Sequence, residues 1–295
     1  MARQKVEWPN GMSSRDLLAV VLGDYWNTCR APIPSAALVT VLADLGVNEV
    51  NARGAIRRLA QRGGLELLRD GRRTSYRLSD EALEFASFGG RRLMRFGLDW
   101  PNWDGRWTCI AFSLSADGHR VGQAMRTGLR RLRMGQLYYG FWISPHDLVH
   151  RLAELVGELG VTSSPIMRST MPDLGIKGRD PRDAFDLTSL RESYEAFAEQ
   201  AENLTTRLHR GALSPAEAFT ARTMLILRWR EFAFDDPRLP HELLPPGWPM
   251  LTARRAFAAA YDQLGPSAET RIRDLVAPII TDDAAQPRHH LTIDT

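Results

Sequence analysis

Leu17, Leu18, Val21, Leu22 and Tyr25 recur at the spacing of one helix face, and Ser13 or Ser14 stands where a helix N-cap belongs. Pro32 and Pro34 interrupt the pattern. Ser35 then opens a second stretch with Leu38, Val41, Leu42 and Leu45 on one side, closed by Gly46, which tolerates the positive φ of a helix end. Asn48 caps a third helix, with Glu49 in its first turn and Ala52, Ile56, Leu59 and Ala60 as its inward stripe. The outward positions of that helix are Asn51, Arg53, Gly54, Arg57 and Arg58. Past Gly63-Gly64, residues 65–69 read as a strand, Asp70-Gly71 as a hairpin turn, and residues 72–78, with Thr74 and Tyr76, as the returning strand. Three helices and a hairpin in this order predict a winged helix-turn-helix.

Residues 79–98 read as a helical connector with Leu83, Phe85, Leu93 and Phe96, broken at Gly89-Gly90. Trp100, Trp103 and Trp107 then cluster around Asp104-Gly105. Residues 107–114 are strand-like, 118–134 form a basic amphipathic helix ended by Gly135, 136–143 read as one strand, and 147–159 as a helix capped near Ser144. Strand, helix, strand, helix predicts a small α/β or ferredoxin-like module. Pro165, Pro172 and Pro181 exclude one long helix over 162–188. Helices are expected over 190–208, from Ser214-Pro215 through Phe232, and over 252–264, with a proline-punctuated stretch at 235–248. The last 15 or so residues carry no periodicity. The class is α+β, divided as a winged helix with connector (1–88), a central ferredoxin-like domain (89–180), a helical C-terminal domain (181–280) and a disordered tail (281–295).

The composition, 44% hydrophobic and 25% charged, is that of a globular chain, and the net charge of +3 names no partner. Its distribution is more informative. Residues 1–98 carry +5, residues 99–180 carry +2 and residues 181–295 carry −4. Residues 53–77 hold Arg53, Arg57, Arg58, Arg62, Arg69, Arg72, Arg73 and Arg77 against only Glu66 and Asp70, a footprint for phosphate. The longest apolar runs fall far short of the roughly 18 residues that span a bilayer, and the charged start lacks a signal-peptide core, so the expectation is a cytoplasmic, nucleoid-associated protein without membrane contact. Cys29 and Cys109 form neither a disulfide framework nor a metal-ligand pattern.

A helix in the major groove reads guanine with Arg and adenine with Asn. Asn51, Arg53, Arg57 and Arg58 are therefore the expected base-reading residues, with Arg72, Arg73 and Thr74 of the wing on the backbone. The alternative is a winged helix that binds only protein, its arginines solvating an exposed face. No enzyme is predicted: G-x-S-x-G, G-x-x-x-x-G-K, G-x-G-x-x-G and C-x-x-C are absent, and Pro245 stands where a zinc-protease motif beginning at His241-Glu242 needs its second His. His146 and His150 have helical metal-ligand spacing but no evident third ligand, so no metal or cofactor is expected.

Several separated blocks resemble the PaaX family of phenylacetic-acid degradation repressors: NARGAIRRLAQRGG and GRRTSYRLS in the winged helix, WDGRW at 103–107, LRRLRMGQLYYGFWISP at 129–145 and FDDPRLPHELLPPGW at 234–248. The resemblance spans roughly residues 13–275. It implies a central domain similar to the Cas2 fold, a helical C-terminal domain, and a homodimeric repressor of aromatic catabolism that leaves its double-stranded operator on binding an aryl-acyl-CoA such as phenylacetyl-CoA. Such an effector needs arginines for phosphate and an apolar pocket for the aryl group. Arg106, Arg130, Arg131 and Arg133 are candidates for the first, Trp103, Trp107 or Trp142 for the second, and Arg230 and His241 for completing the pocket. The alternative is that the tryptophans are core and the arginines line a solvated face or the dimer seam, with helix packing accounting for Arg230 and His241. A Cas2-like domain also raises a metal-dependent nuclease, with Asp104 and Asp117 as carboxylate ligands.

Overall fold

The computed structural model describes residues 8, 12–71, 73–113, 119–161, 164–171 and 179–292. By packing the chain divides into two units. One comprises Met1–Phe96, Ala196–Ala233 and Thr252–Thr295, the other Gly97–Glu195 and Phe234–Leu251.

The first unit contains the winged helix. Helix α1 (Ser14–Tyr25) starts at Ser13, whose hydroxyl accepts from the Asp16 N–H while the Asp16 carboxylate accepts from the Ser13 N–H, so two orphan donors are satisfied at once. Helices α2 (Ser35–Asp44) and α3 (Glu49–Gln61) follow, joined through Gly46 at φ +84° and the Asn48 cap. Strands β1 (Ile33–Pro34), β2 (Leu65–Asp70) and β3 (Arg73–Leu78) form an antiparallel sheet in the order β1-β3-β2. The hairpin register pairs Asp70 with Arg73, so the turn is one residue later than the sequence predicts. Gly71, at φ +55°, follows β2 in the turn, and Arg72 lies outside the described residues.

Helix α4 (Asp80–Arg95) corrects the expected break at Gly89-Gly90 and runs straight through both glycines. Each glycine costs about 1 kcal/mol of helix propensity. The Ser79 cap and the buried Leu83 and Met94 hold the helix on either side of them.

Helix α7 (Leu187–His209) from Ala196 onward, α8 (Pro215–Asp235) as far as Ala233 and α9 (Met250–Val276) from Thr252 onward also belong to this unit. The sequence predicts that α9 stops at Leu264, but it continues through Pro266 to Val276. Proline in a helix interior costs roughly 3 kcal/mol. Ala268, Ile272 and Val276, one helical turn apart, are fully buried in the same core as Leu18 and Leu38 of the winged helix. Burying an Ile or Val side chain contributes about 1.5–3 kcal/mol, which offsets the proline.

The residues after α9 correct a second expectation. Instead of fraying from 281 onward, Ile280 and Ala285 join that core, a 3-10 turn at Asp283–Ala285 is capped by Asp282, and Thr292 is hydrogen-bonded to Asp262. Trp26 Nε1 donates to the Ala285 carbonyl at 2.9 Å, and the Arg288 N–H donates to the Tyr25 carbonyl at 2.9 Å. Arg222 of α8, with no exposed surface, fastens these parts together. Its guanidinium reaches Asp24 of α1 at 3.3 Å, donates to the Tyr261 carbonyl at 3.1 Å and the His290 carbonyl at 2.8 Å, and lies 3.8 Å from the Tyr261 ring centre.

In the second unit, β4 (Trp107–Ala111), α5 (His119–Arg131), β5 (Gly135–Tyr138), β6 (Phe141–Ser144), α6 (Val149–Glu158) and β7 (Ile166–Ser169) make an antiparallel sheet ordered β5-β6-β4-β7. This βαββαβ arrangement is ferredoxin-like. The segment 136–143, expected as one strand, is a hairpin. Gly140 turns it at φ +76°, and a Cβ there would lie 2.5 Å from the Phe112 carbonyl oxygen. Period-2 alternation gives the sheet two apolar faces. Ile110 and Trp142 pack with Met125, Leu129 and Leu152 on one, while Trp107, Cys109 and Ile143 pack with Leu239 and Leu243 on the other.

Candidate nucleic-acid interface and ligand cleft

Helix α3 is held by Ala52, Ala55 and Ile56, which are buried, and it exposes Asn51, Arg53, Arg57 and Arg58. The Asn48 side chain accepts from the Asn51 N–H at 2.9 Å, which sets the first turn. Arg53 is drawn back one turn onto Glu49, with Nε at 2.9 Å and Nη2 at 2.7 Å from the same oxygen. An exposed pair of this kind contributes about 0.3–0.5 kcal/mol, so a phosphate or base can displace it. Arg57 and Arg58 have no ion-pair partner among the described residues. Gly54 matters here because a Cβ on it would lie 3.1 Å from Arg58 Nη1, so the glycine lets that guanidinium lie along the helix.

On the wing, Arg73 is exposed and Thr74 half-buried. Arg77 is engaged across the hairpin by Glu66, its register partner. Sequence reasoning passed over Val50, which is 80% exposed in the first turn of α3. An apolar residue on the outward side of an otherwise polar helix was the available signal. In the major groove such a side chain suits a thymine methyl group.

Among the residues expected at an effector pocket, the structure brings Arg130 and Arg133 together. They line a cleft of about 320 Å3 in the second unit, with Gly135, Phe185, Phe234 and Pro237 among the other walls. Arg133 adopts φ +59° and occupies the left-handed position that closes α5, its N–H bonding the Arg130 carbonyl while the Met134 N–H bonds that of Leu129. Gly135, expected to end the helix, serves another purpose: a Cβ there would meet the Ala184 carbonyl oxygen at 2.6 Å. A non-glycine residue at positive φ stores strain of order 1–3 kcal/mol, and such strain concentrates where side chains are aimed for a purpose.

Behind the cleft, the Tyr194 hydroxyl donates to the Asp236 carboxylate. Burial pushes the Asp236 carboxyl above the usual carboxylate range, and burial next to that carboxylate pushes the Tyr194 phenol up. His146 Nε2 lies 2.9 Å from the Pro237 carbonyl, which can only accept, so Nε2 carries the hydrogen and donates; burial depresses the ring's pKa.

The other candidates do not converge on this cleft. Trp107 and Trp142 are buried on opposite faces of the sheet; Trp103 sits edge-on to Trp107 with its Nε1 donating to the Arg106 carbonyl. Arg106 and Arg131 are exposed elsewhere on the second unit. His241 packs edge-on against Trp100 at 5.8 Å, and Arg230, half-buried, belongs to the first unit.

Of the two nuclease carboxylates, Asp117 lies outside the described residues. Asp104 accepts from Arg168 at 2.6 Å and from the Arg106 N–H, contacts that hold its carboxyl below the usual range. Among the described residues no group of three or more His, Cys, Asp or Glu side chains is placed to hold a metal, and no helix is long and apolar enough to cross a membrane.

Three family models match the chain in order: PaaX-like protein over residues 13–82, PaaX protein central Cas2-like domain over 101–180, and PaaX-like protein C-terminal domain over 185–273. The transcriptional repressor PaaX of Escherichia coli (strain K12) is 28% identical over 281 residues, covering 90% of this chain and 88% of that protein. Among solved structures, the uncharacterized protein Rv0674 from Mycobacterium tuberculosis is similar in fold, with a TM-score of 0.51 and 24% identity over 90% of this chain and 99% of that one. Winged helix, Cas2-like sheet and C-terminal helices thus occur here in the family's own order, and the chain belongs to the PaaX family.

Proposed function

We propose that this protein is a DNA-binding transcriptional repressor of a phenylacetate-type catabolic operon and not an enzyme, acting in the cytoplasm as a homodimer on a two-fold symmetric operator. The observation that carries the reading is the exposed Arg57 and Arg58 on α3, unpaired among the described residues, beside a basic wing in a relative of a transcriptional repressor. In this assignment Asn51, Val50, Arg57 and Arg58 face base edges, while Arg73 and its neighbour Arg72 position the phosphate backbone. Residues 1–88 read DNA, and the remaining segments sense the effector. The test is anisotropy binding to the DNA upstream of its own gene across a salt series. Specific binding with a steep loss of affinity as salt rises is expected, because each neutralised phosphate releases counterions. Equal affinity for scrambled DNA, or a flat salt dependence, would leave the protein-only winged helix as the better account.

The effector of this scheme is an aryl-acyl-CoA or related acidic aromatic compound, seated at the cleft of Arg130 and Arg133. Support comes from two cationic side chains beside Phe185 and Phe234 and from the strained backbone of Arg133. A volume of about 320 Å3 is at the low end for ligand sites and suits the aryl and acyl portion. Linkage requires the effector and the operator to weaken each other by the same factor. Calorimetry with phenylacetyl-CoA should show this reciprocity and a loss of affinity in Arg130→Ala; an effector affinity that is the same with and without operator would overturn it.

A further inference from the structure

The connector helix α4 carries an exposed seam that none of the preceding functions uses. Phe85 is 79% exposed and Phe88 64% exposed, large values for phenylalanine on a well-formed helix. Glu81, Phe85, Phe88, Arg92 and Arg95 all lie on the exposed side, and their spacing alternates four and three residues. That is the period of a seam between two helices. The opposite side of the helix, with Leu83 and Met94, is buried in its own unit.

The charges on this seam are polarised, with acid at its start and base at its end. Glu81 and Arg92 are both exposed, and neither has an ion-pair partner among the described residues; the neighbouring Asp80 is engaged by Arg30. A parallel partner with the same pattern would set like charges side by side. An antiparallel copy reverses the order and is complementary.

We infer that α4 pairs with α4 of a second copy of this chain, antiparallel about a two-fold axis between Ala86 and Ser87. In that register Phe85 of each copy meets Phe88 of the other, and Glu81 of each meets Arg92 of the other. The contact is isologous, as a closed two-fold dimer requires. Four phenylalanine rings at about 150 Å2 each supply roughly 600 Å2 of apolar burial, about half of what a specific stable interface needs. Gly89 sits beside the seam, and a Cβ there would meet nothing within 4 Å, so the backbone leaves room for an incoming ring. The pairing rests on the proposed homodimer, for which it names the contact surface, and stands or falls independently of whether that dimer binds DNA.

Sedimentation velocity on the full chain at micromolar concentration tests it. The wild type should run as a dimer, and Phe85→Ser with Phe88→Ser as a monomer with unchanged circular dichroism, since both rings are already exposed. Glu81→Arg alone and Arg92→Glu alone should each weaken dimerisation by at least about tenfold, and the two changes combined should restore it. A wild-type monomer, a serine variant that keeps the dimer mass, or a charge swap that fails to rescue would each overturn the pairing. A dimer that does not bind DNA would count against the repressor reading and leave this one intact.

Discussion

Arg222 and Arg57 are the same residue type put to opposite uses. Arg57 is exposed without an ion-pair partner among the described residues, and Arg57→Ala should cost roughly 1–3 kcal/mol of specific DNA affinity, read by anisotropy, with the fold intact if it contacts a base. Arg222 has no exposed surface, and losing it would leave Asp24 buried without its cation. Arg222→Ala should therefore cost about 3–5 kcal/mol of stability in denaturant titration, felt across the unit that carries the winged helix. His290 and His146 give a pH dependence of defined sign. Burial holds both below the usual 6.5, so folded rings stay neutral where unfolded ones take a proton. The unfolded state then binds more protons below about pH 6.5, and stability falls as the pH drops from about 7 to 5.5. A flat Tm across that range would refute this, and His146→Asn with His290→Asn should flatten it. The exposed arginines were legible from helical phase alone. Arg222 was not, because a cation on a helix of mixed pattern reads as solvated until its partners, some 200 residues earlier and 68 later, are known.

At the scale of elements, periodicity found the winged helix almost to the residue, because Ser13, Gly46 and Asn48 act through local backbone hydrogen bonds. It failed where a glycine's meaning depends on distant backbone. Gly135 looked like a helix stop but accommodates the Ala184 carbonyl, and Gly140 divides one apparent strand into β5 and β6 against Phe112. Gly135→Ala should accordingly destabilise by about 1–3 kcal/mol, the usual cost of overpacking, seen as a lowered Tm. Gly90→Ala should do the reverse, adding about 0.8–1 kcal/mol of helix stability, because its Cβ would meet nothing within 4 Å. The extension of α9 past Pro266 was hidden for a related reason. Ala268, Ile272 and Val276 make a helical stripe, but the proline ahead of them reads as a stop until the core that buries them is visible.

For the whole molecule, the positive charge read along the chain falls on the winged helix, and the three family models match in the expected order. Linear order did not reveal that the head shares its hydrophobic core with Phe219, Leu227, Ile272 and Ala285. An isolated fragment of residues 1–96 should therefore expose apolar surface and melt well below the intact chain, with dye binding and calorimetry as the readouts. Trp26 is hydrogen-bonded to a carbonyl 259 residues further on. On the ribosome, then, the core around α1 stays open until the residues near 285 have emerged. A product of interrupted synthesis would carry every arginine of α3 without the packing that holds that helix in place, and so would make a poor competitor for the operator.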